Sequence, residues 1–251
     1  MKPVVVKVGG GSLAGGALAD LPRLVELGAP VALVHGGGVQ LSRMLDALGM
    51  KSEFREGLRV TSPEAAEVAE MVFCSLGKAL VRQLQSCGVA AAGVSGTDGP
   101  TLLVEPVAGL GRVGEVKEVQ PHLVRTLWEG GFVPVIAPLG LGPEGVYNVN
   151  ADLTAASLAV GLGAGTLLLL TDVDGLLEGG RVVGSLTPEG CEERIGDGTA
   201  AGGMVPKLRA AAAAARGGVE ARIVNGGREG MLLRAASGEK VGTLVSGGDI
   251  T

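Results

Sequence analysis

Two lysines, an aspartate and two glycine clusters carry the chemistry that this sequence advertises most plainly. Lys7 closes a short apolar run, Val4-Val5-Val6, and Gly9-Gly10-Gly11 follow it. A strand ending in glycines lets the backbone come close to a ligand and aim its N–H groups at it. The arrangement repeats after the next strand as Val34-His35-Gly36-Gly37-Gly38. Two such turns at one sheet edge fit a ligand with several negative charges, such as a nucleoside triphosphate beside an anionic acceptor. Lys207 follows a third cluster, Gly202-Gly203, and Asp152 in Asn148-Val149-Asn150-Ala151-Asp152 could orient lysines. Phosphoryl transfer needs little more than positive charge and backbone donors around the moving group. Each piece has a plainer reading. Lys7 could be a solvated strand end, Arg59 a surface charge, and Asp172 and Asp174 a simple turn. His35 reads as a strand-end histidine rather than a base.

These groups must be held by a frame, and the pattern of the chain supplies one. Short apolar runs at Pro3–Val6, Pro30–Val34, Val89–Val94, Phe132–Ile136, Thr166–Thr171, Ala221–Val224 and Val241–Val245 read as buried strands. Helical spacing falls between them over Ala17–Leu27, Val39–Leu48, Pro63–Ser86, Pro121–Glu129, Asp152–Leu162, Pro188–Ile195 and the alanine-rich stretch after Lys207. Residues 51–61 and 101–119 read as hairpins, the first lying over the site. This alternation is α/β: a mostly parallel open sheet covered on both faces, with two lobes, 1–145 and 146–251, sharing it.

Composition narrows the rest. With 251 residues and 46% apolar content, the chain can bury one large core. A net charge of −5 argues against a nucleic-acid partner. Cys74, Cys87 and Cys191 have no metal-ligand spacing and read as reduced, structural thiols of a cytoplasmic protein, with Cys74 and Cys87 in the core. No signal peptide is visible at the start, and the uncharged stretch 153–171 is broken by glycines, so it reads as helix, turn and strand rather than a membrane span. Both the P-loop and the dinucleotide fingerprint are absent. The 45 glycines against an average usage near 7% mean that no single cluster decides the matter.

Their joint order does. Lys7-Val8-Gly9-Gly10, His35-Gly36-Gly37-Gly38, Gly57-Leu58-Arg59-Val60-Thr61, Asn148-Val149-Asn150-Ala151-Asp152, Thr171-Asp172-Val173-Asp174-Gly175-Leu176 and Gly202-Gly203-Met204-Val205-Pro206-Lys207 occur in the order of the amino acid kinase family. From Val4 to Val245 the chain resembles that family, and the Gly-Leu-Arg-Val-Thr piece resembles its acetylglutamate kinase branch. The resemblance implies a three-layer αβα sandwich, with the N-terminal lobe taking the acyl amino acid and forming a dimer, and the C-terminal lobe taking ATP. It implies that Lys7 and Lys207 stabilise the transition state and that Asp152 holds both. Gly10, Gly37, Gly38, Arg59 and Asn148 would bind N-acetyl-L-glutamate or the moving phosphoryl. Gly9, Asp172, Val173, Asp174, Gly175, Leu176, Leu177, Thr199, Ala200 and Ala201 would line the ATP site. Mg2+ would ride on the ATP phosphates, with no metal held by protein ligands alone. The implied reaction gives ADP and the γ-acyl phosphate, the second step of arginine synthesis.

Two positions depart from the family pattern: Val39 stands where proline is common, and Gly77 where asparagine is. A kinase for carrier-linked aminoadipate or glutamate looks similar overall, but the Arg59 segment and the acidic balance speak against it. A catalytically inactive sensor of nucleotide or amino acid is the rival of a different class. Arginine-inhibited members carry an extra helix ahead of the first strand, and here that strand starts at Pro3. The expectation is therefore a homodimer indifferent to arginine.

Overall fold

Apolar runs without alternation need cover on both faces, and the structure gives it to them. The computed structural model describes residues 1–9, 16–55 and 57–248, with Leu18 by its backbone alone. The first half runs β1 (Val4–Val8), α1 (Ala17–Glu26), β2 (Val31–His35), α2 (Gly38–Ala47), β3 (Glu53–Arg55), β4 (Leu58–Val60), α3 (Pro63–Ser86), β5 (Ala91–Ser95), β6 (Leu102–Pro106), β7 (Gly114–Val119), α4 (His122–Glu129) and β8 (Val133–Ala137). Next come β9 (Leu139–Gly142), β10 (Gly145–Asn148), α5 (Ala151–Gly161), β11 (Thr166–Thr171), β12 (Leu177–Glu178), β13 (Arg181–Val182) and β14 (Ser185–Leu186). The chain closes with α6 (Pro188–Gly196), α7 (Met204–Arg216), β15 (Glu220–Asn225), α8 (Met231–Ala236) and β16 (Thr243–Val245).

Eight strands form the central sheet in the order β14-β16-β15-β11-β1-β2-β8-β5. All neighbours are parallel except β15 and β16. The β1–β11 pairing joins strands of the two halves, so both halves share one sheet. Side chains alternate across it with a period of two. Val5, Val34, Ile136, Leu167 and Ile223 pack toward the layer that contains α5 and α7. Val4, Val6, Val8, Leu33, Val135 and Leu168 pack toward α1, α3 and α8. The expected three-layer sandwich is thus observed.

Helix α3 runs Pro63–Ser86 as its sequence signals predict, with Pro at its start and Ser62 accepting a cap hydrogen bond from Ala65 N–H at 3.1 Å. Its buried stripe includes Ala69, Val72, Phe73, Leu80 and Leu84. Cys74 falls off that stripe and Cys87 is the C-terminal cap, so both are exposed, which corrects the expectation that they lie in the core. Cys191 is buried, and burial pushes its thiol up to about 11, out of reach of ordinary thiolate chemistry.

The sequence reading also missed the hairpin β9–β10, which joins β6 and β7 in a separate four-stranded sheet. The stretch 153–171 folds as α5, a glycine turn and β11. Among the described residues no helix is long and apolar enough to cross a membrane.

Candidate active site

Lys7 is the fourth residue of β1 and stands in register with Leu169 of β11 and Val34 of β2. Its parity puts it on the α5/α7 side with Val5. There its Nζ lies 3.0 Å from Asp152 Oδ1, and the whole residue is only 6% exposed. Lys207, in the second turn of α7, reaches the other oxygen of the same carboxylate, Nζ to Oδ2, at 3.3 Å. Asp152 is 5% exposed and occupies the first turn of α5, where the helix dipole favours a negative charge. That turn is fixed by Asn150, whose Oδ1 accepts from the N–H groups of Asp152 and Leu153 at 2.9 and 3.1 Å. One carboxylate therefore holds two ammoniums in a water-poor place. Burial pushes the Lys7 pKa down, Asp152 pulls it back up, and Lys207 pushes it down again. Two positive charges against one negative leave a positive excess aimed at whatever enters the cleft.

The second glycine turn faces these charges. Gly36 N–H donates to Val8 C=O at 2.9 Å, which ties the turn to β1. Helix α2 starts at Gly38 with no side-chain cap, so its first N–H groups have no intrahelical acceptor. A Cβ on Gly37 would meet Leu76 and Phe73 at 2.7–2.8 Å, so only glycine lets α2 begin this close to α3. A cleft of ≈ 590 Å³ is lined by Lys7, Gly37, Gly38, Arg59, Asn148, Asp152 and Lys207, among others. Catalytic and acceptor-binding residues predicted from sequence thus meet in one cleft. Gly10 lies outside the described residues.

Arg59, on the β3–β4 hairpin, is buried rather than the surface charge it could have been. Its Nη2 donates to Gly38 C=O at 3.1 Å and to Ser42 Oγ at 2.7 Å. Nη1 donates to Ser52 Oγ, and the Phe54 ring lies 4.5 Å from the guanidinium carbon. The fork is oriented before any ligand binds. Asn148 donates from Nδ2 to Thr61 Oγ1 at 3.3 Å and also lines the cleft. Arg59→Lys keeps the charge but loses the fork and its stacking on Phe54. The expected result is an acceptor KM raised about tenfold, with kcat changed much less, in steady-state kinetics; a normal acceptor KM would exclude a binding role for Arg59.

Sequence reasoning missed Ser42, Ser52, Phe54 and the capping role of Asn150. Only Asn150 carried a local signal, an asparagine just ahead of a helical run. His35 follows the opposite parity from Lys7. It is fully buried, its Nδ1 is 2.9 Å from Gly36 C=O, and Nε2 points at Gly77, where a Cβ would be 3.2 Å away. Burial lowers its pKa, so it is a neutral packing group turned away from the lysines.

The residues expected at the nucleotide leave the same sheet edge on the other side of β1. Gly9 follows β1, and Asp172 follows β11. Asn225 Nδ2 donates to Asp172 C=O at 3.4 Å and to Asp174 Oδ1 at 2.9 Å, while Arg228 pairs with Asp174 at 2.7 Å. Gly175 has φ +146°, and its N–H neighbour Leu176 donates to Thr243 Oγ1 at 2.9 Å. Leu176 itself is buried, so its side chain packs inward, whereas Val173 and Leu177 are exposed. Thr199, Ala200 and Ala201 form the turn between α6 and α7, held by Asp197 Oδ1 to Thr199 N–H at 2.8 Å. None of 172–177 or 199–201 lines the ≈ 590 Å³ cleft.

The sequence pattern of the amino acid kinase family matches residues 2–225. The chain belongs to the amino acid kinase family. It is 67% identical to the acetylglutamate kinase of Rubrobacter xylanophilus over 98% of this chain and 97% of that one. It is 44% identical to the acetylglutamate kinase of Geobacillus kaustophilus over 85% of each. A solved protein of Streptococcus mutans, smu.665, superposes with a TM-score of 0.86 at 27% identity, covering 98% of both chains. The N-acetylglutamate synthase of Neisseria gonorrhoeae, solved with coenzyme A and N-acetylglutamate, superposes at 0.84 with 26% identity over 98% of this chain and 59% of that one. Carbamate kinase from Giardia lamblia, at 17% identity and a TM-score of 0.72, shares the fold.

Proposed function

We propose that this chain transfers the γ-phosphoryl group of ATP to the γ-carboxylate of N-acetyl-L-glutamate, the second step of arginine synthesis. The observation that carries the reading is one cleft with an oriented arginine fork on one wall and the Lys7–Asp152–Lys207 cluster on the other. An acceptor with two carboxylates suits that cleft. One binds near Arg59 and Asn148, and the other attacks the γ-phosphorus under the lysines. As the new P–O bond forms, the bond to the β-phosphate oxygen breaks and ADP leaves. Lys7, Lys207 and the N–H groups of Gly10, Gly37 and Gly38 balance the charge that spreads over the moving phosphoryl.

In this reading residues 1–145 hold the acceptor and the dimer interface, and 146–251 hold ATP through Asp172–Leu177 and Thr199–Ala201. Gly9 borders the nucleotide from β1. Mg2+ arrives on the phosphates, which it neutralises. Among the described residues no cluster of three or more His, Cys, Asp or Glu could hold a metal. The homodimer uses Met44 on α2, Leu48 at the C-terminal cap of α2 and Met71 on α3, all large apolar side chains that are exposed, and light scattering at working concentration reads its mass. The setting is cytoplasmic, where ATP and reduced thiols are found.

The test is turnover with ATP and hydroxylamine, which traps acyl phosphates, across a panel of acceptors. N-acetylglutamate is expected to give far more hydroxamate than glutamate, aspartate or aminoadipate. Equal or better turnover of free glutamate sinks the substrate assignment. Absence of any turnover favours an inactive sensor, against which the intact lysine–aspartate cluster argues. Activity only with a carrier-linked acyl group favours the remaining alternative.

A further inference from the structure

Asp20 is an acidic residue the chemistry above does not use, yet it is 5% exposed and is bonded by backbone N–H groups. It sits in the first turn of α1, and both its carboxylate oxygens accept from backbone donors more than 200 positions away. Gly230 N–H donates to Oδ1 at 3.0 Å and Leu232 N–H donates to Oδ2 at 3.1 Å. Those donors open α8, a helix with no side-chain cap of its own. Ala17 N–H donates to Gly226 C=O at 3.0 Å, and a Cβ on Gly16 would strike Glu229 N at 2.7 Å. The turn from 226 to 230 is therefore clamped at both ends onto the start of α1. Immediately before it stands Asn225, whose amide binds Asp172 C=O and Asp174 Oδ1; within it stands Arg228, paired with Asp174.

We propose that Asp20 is a positioning residue for the nucleotide side of the site. It fixes the 226–230 turn, which in turn holds the Asp172–Asp174 loop through Asn225 and Arg228. A carboxylate suits the task because a single rigid group accepts two adjacent N–H donors at a helix start, where the dipole favours negative charge. Among the described residues, none of Gly16, Ala17, Asp20 or 226–232 lines the acceptor cleft, so the consequence is expected at ATP. The inference rests on the reading of residues 172–177 as nucleotide-binding.

The experiment compares Asp20→Asn, Asp20→Ala and Asn225→Ala in steady-state kinetics, run well below each variant's melting temperature. Losing a helix-cap contact leads us to expect an ATP KM raised about fivefold in Asp20→Ala and less in Asp20→Asn, which keeps one acceptor. The N-acetylglutamate KM is expected to stay within about twofold. Hydrogen exchange at the 226–232 peptide is expected to quicken in both variants. If Asn225→Ala raises the ATP KM while the Asp20 variants lose only thermal stability, or move both KM values together, the proposal is overturned and the nucleotide reading stands. If none of the three variants moves the ATP KM, the proposal and the nucleotide reading fall together. Should Asp20→Ala not fold, Asp20→Glu, which displaces the charge by one methylene, makes the same comparison.

Discussion

Lys7→Ala and Lys207→Ala are each expected to lower kcat by about 10²–10³, with both KM values moving much less. The estimate corresponds to removing one preorganised donor, about 2.7–4 kcal/mol of barrier. The two ammoniums share one carboxylate at 3.0 and 3.3 Å, so neither is fully neutralised by it. The uncompensated charge acts most strongly when negative charge spreads over the transferring phosphoryl, which is why the loss belongs in kcat. Lys7 is the more deeply set of the two, anchored in the sheet between β2 and β11. Lys7→Met serves as its control, since it fills the same space without charge and should lose as much as alanine. Single-turnover rates with saturating ATP and acceptor make the comparison. A Lys7→Ala enzyme with near-normal kcat would remove Lys7 from the chemistry.

Strand parity explains how Lys7, Asp152 and Lys207 come to line one cleft. Lys7 and Val5 share a parity in β1, so a strand covered on both faces must send Lys7 toward one helix layer. The helix starts at Ala151 and Met204 then bring Asp152 and Lys207 to it. The same parity sends His35 to the other layer, which sequence composition alone does not reveal because a buried strand is apolar on both faces. Arg59 was legible as a motif and not as geometry. Its three oxygen partners come from Gly38, Ser42 and Ser52, positions whose nearness depends on how α2 and the β3–β4 hairpin fold together.

The misses have a common physical cause. β9 and β10 went unassigned, and Gly140, Gly142 and Gly145 interrupt their apolar pattern. A Cβ at Gly142 would lie 2.5 Å from the Tyr147 ring, and one at Gly140 would lie 2.2 Å from Val104. Gly140 and Gly142 mark close packing inside a sheet rather than chain reversal, whereas Gly145, with φ +105°, belongs to the reversal itself. Helix α8 was invisible because its cap, Asp20, lies in the other half of the chain. Local signals report local partners, and these elements are completed by remote ones.

Asp152→Asn is expected to damage the enzyme in two ways that respond oppositely to pH. The substitution removes the one anion that holds two buried ammoniums and sets an amide donor against them. Breaking a buried pair in this way costs about 3–5 kcal/mol. It also frees two side chains whose placement sets the rate, and a shift of about 1 Å can cost about 10²-fold in kcat. Lys7 already has a lowered pKa from burial, and Asp152 is the main influence raising it. Without Asp152 that pKa falls further. For a lysine whose folded pKa lies below its unfolded value, the unfolded chain binds more protons between the two values. Stability therefore rises with pH across that window, and the cost of the buried charge is greatest below the folded pKa. In Asp152→Asn the window extends lower, so its deficit in melting temperature relative to the parent is expected to shrink as pH rises through that added part of the window. Activity runs the other way, because a neutral Lys7 no longer stabilises the phosphoryl charge, and the alkaline limb of the kcat profile is expected to begin at lower pH than in the parent. Thermal melts and kcat profiles over the same pH range test the pair of trends. A variant whose kcat loss is independent of pH would show that Asp152 orients the lysines without setting the charge of Lys7.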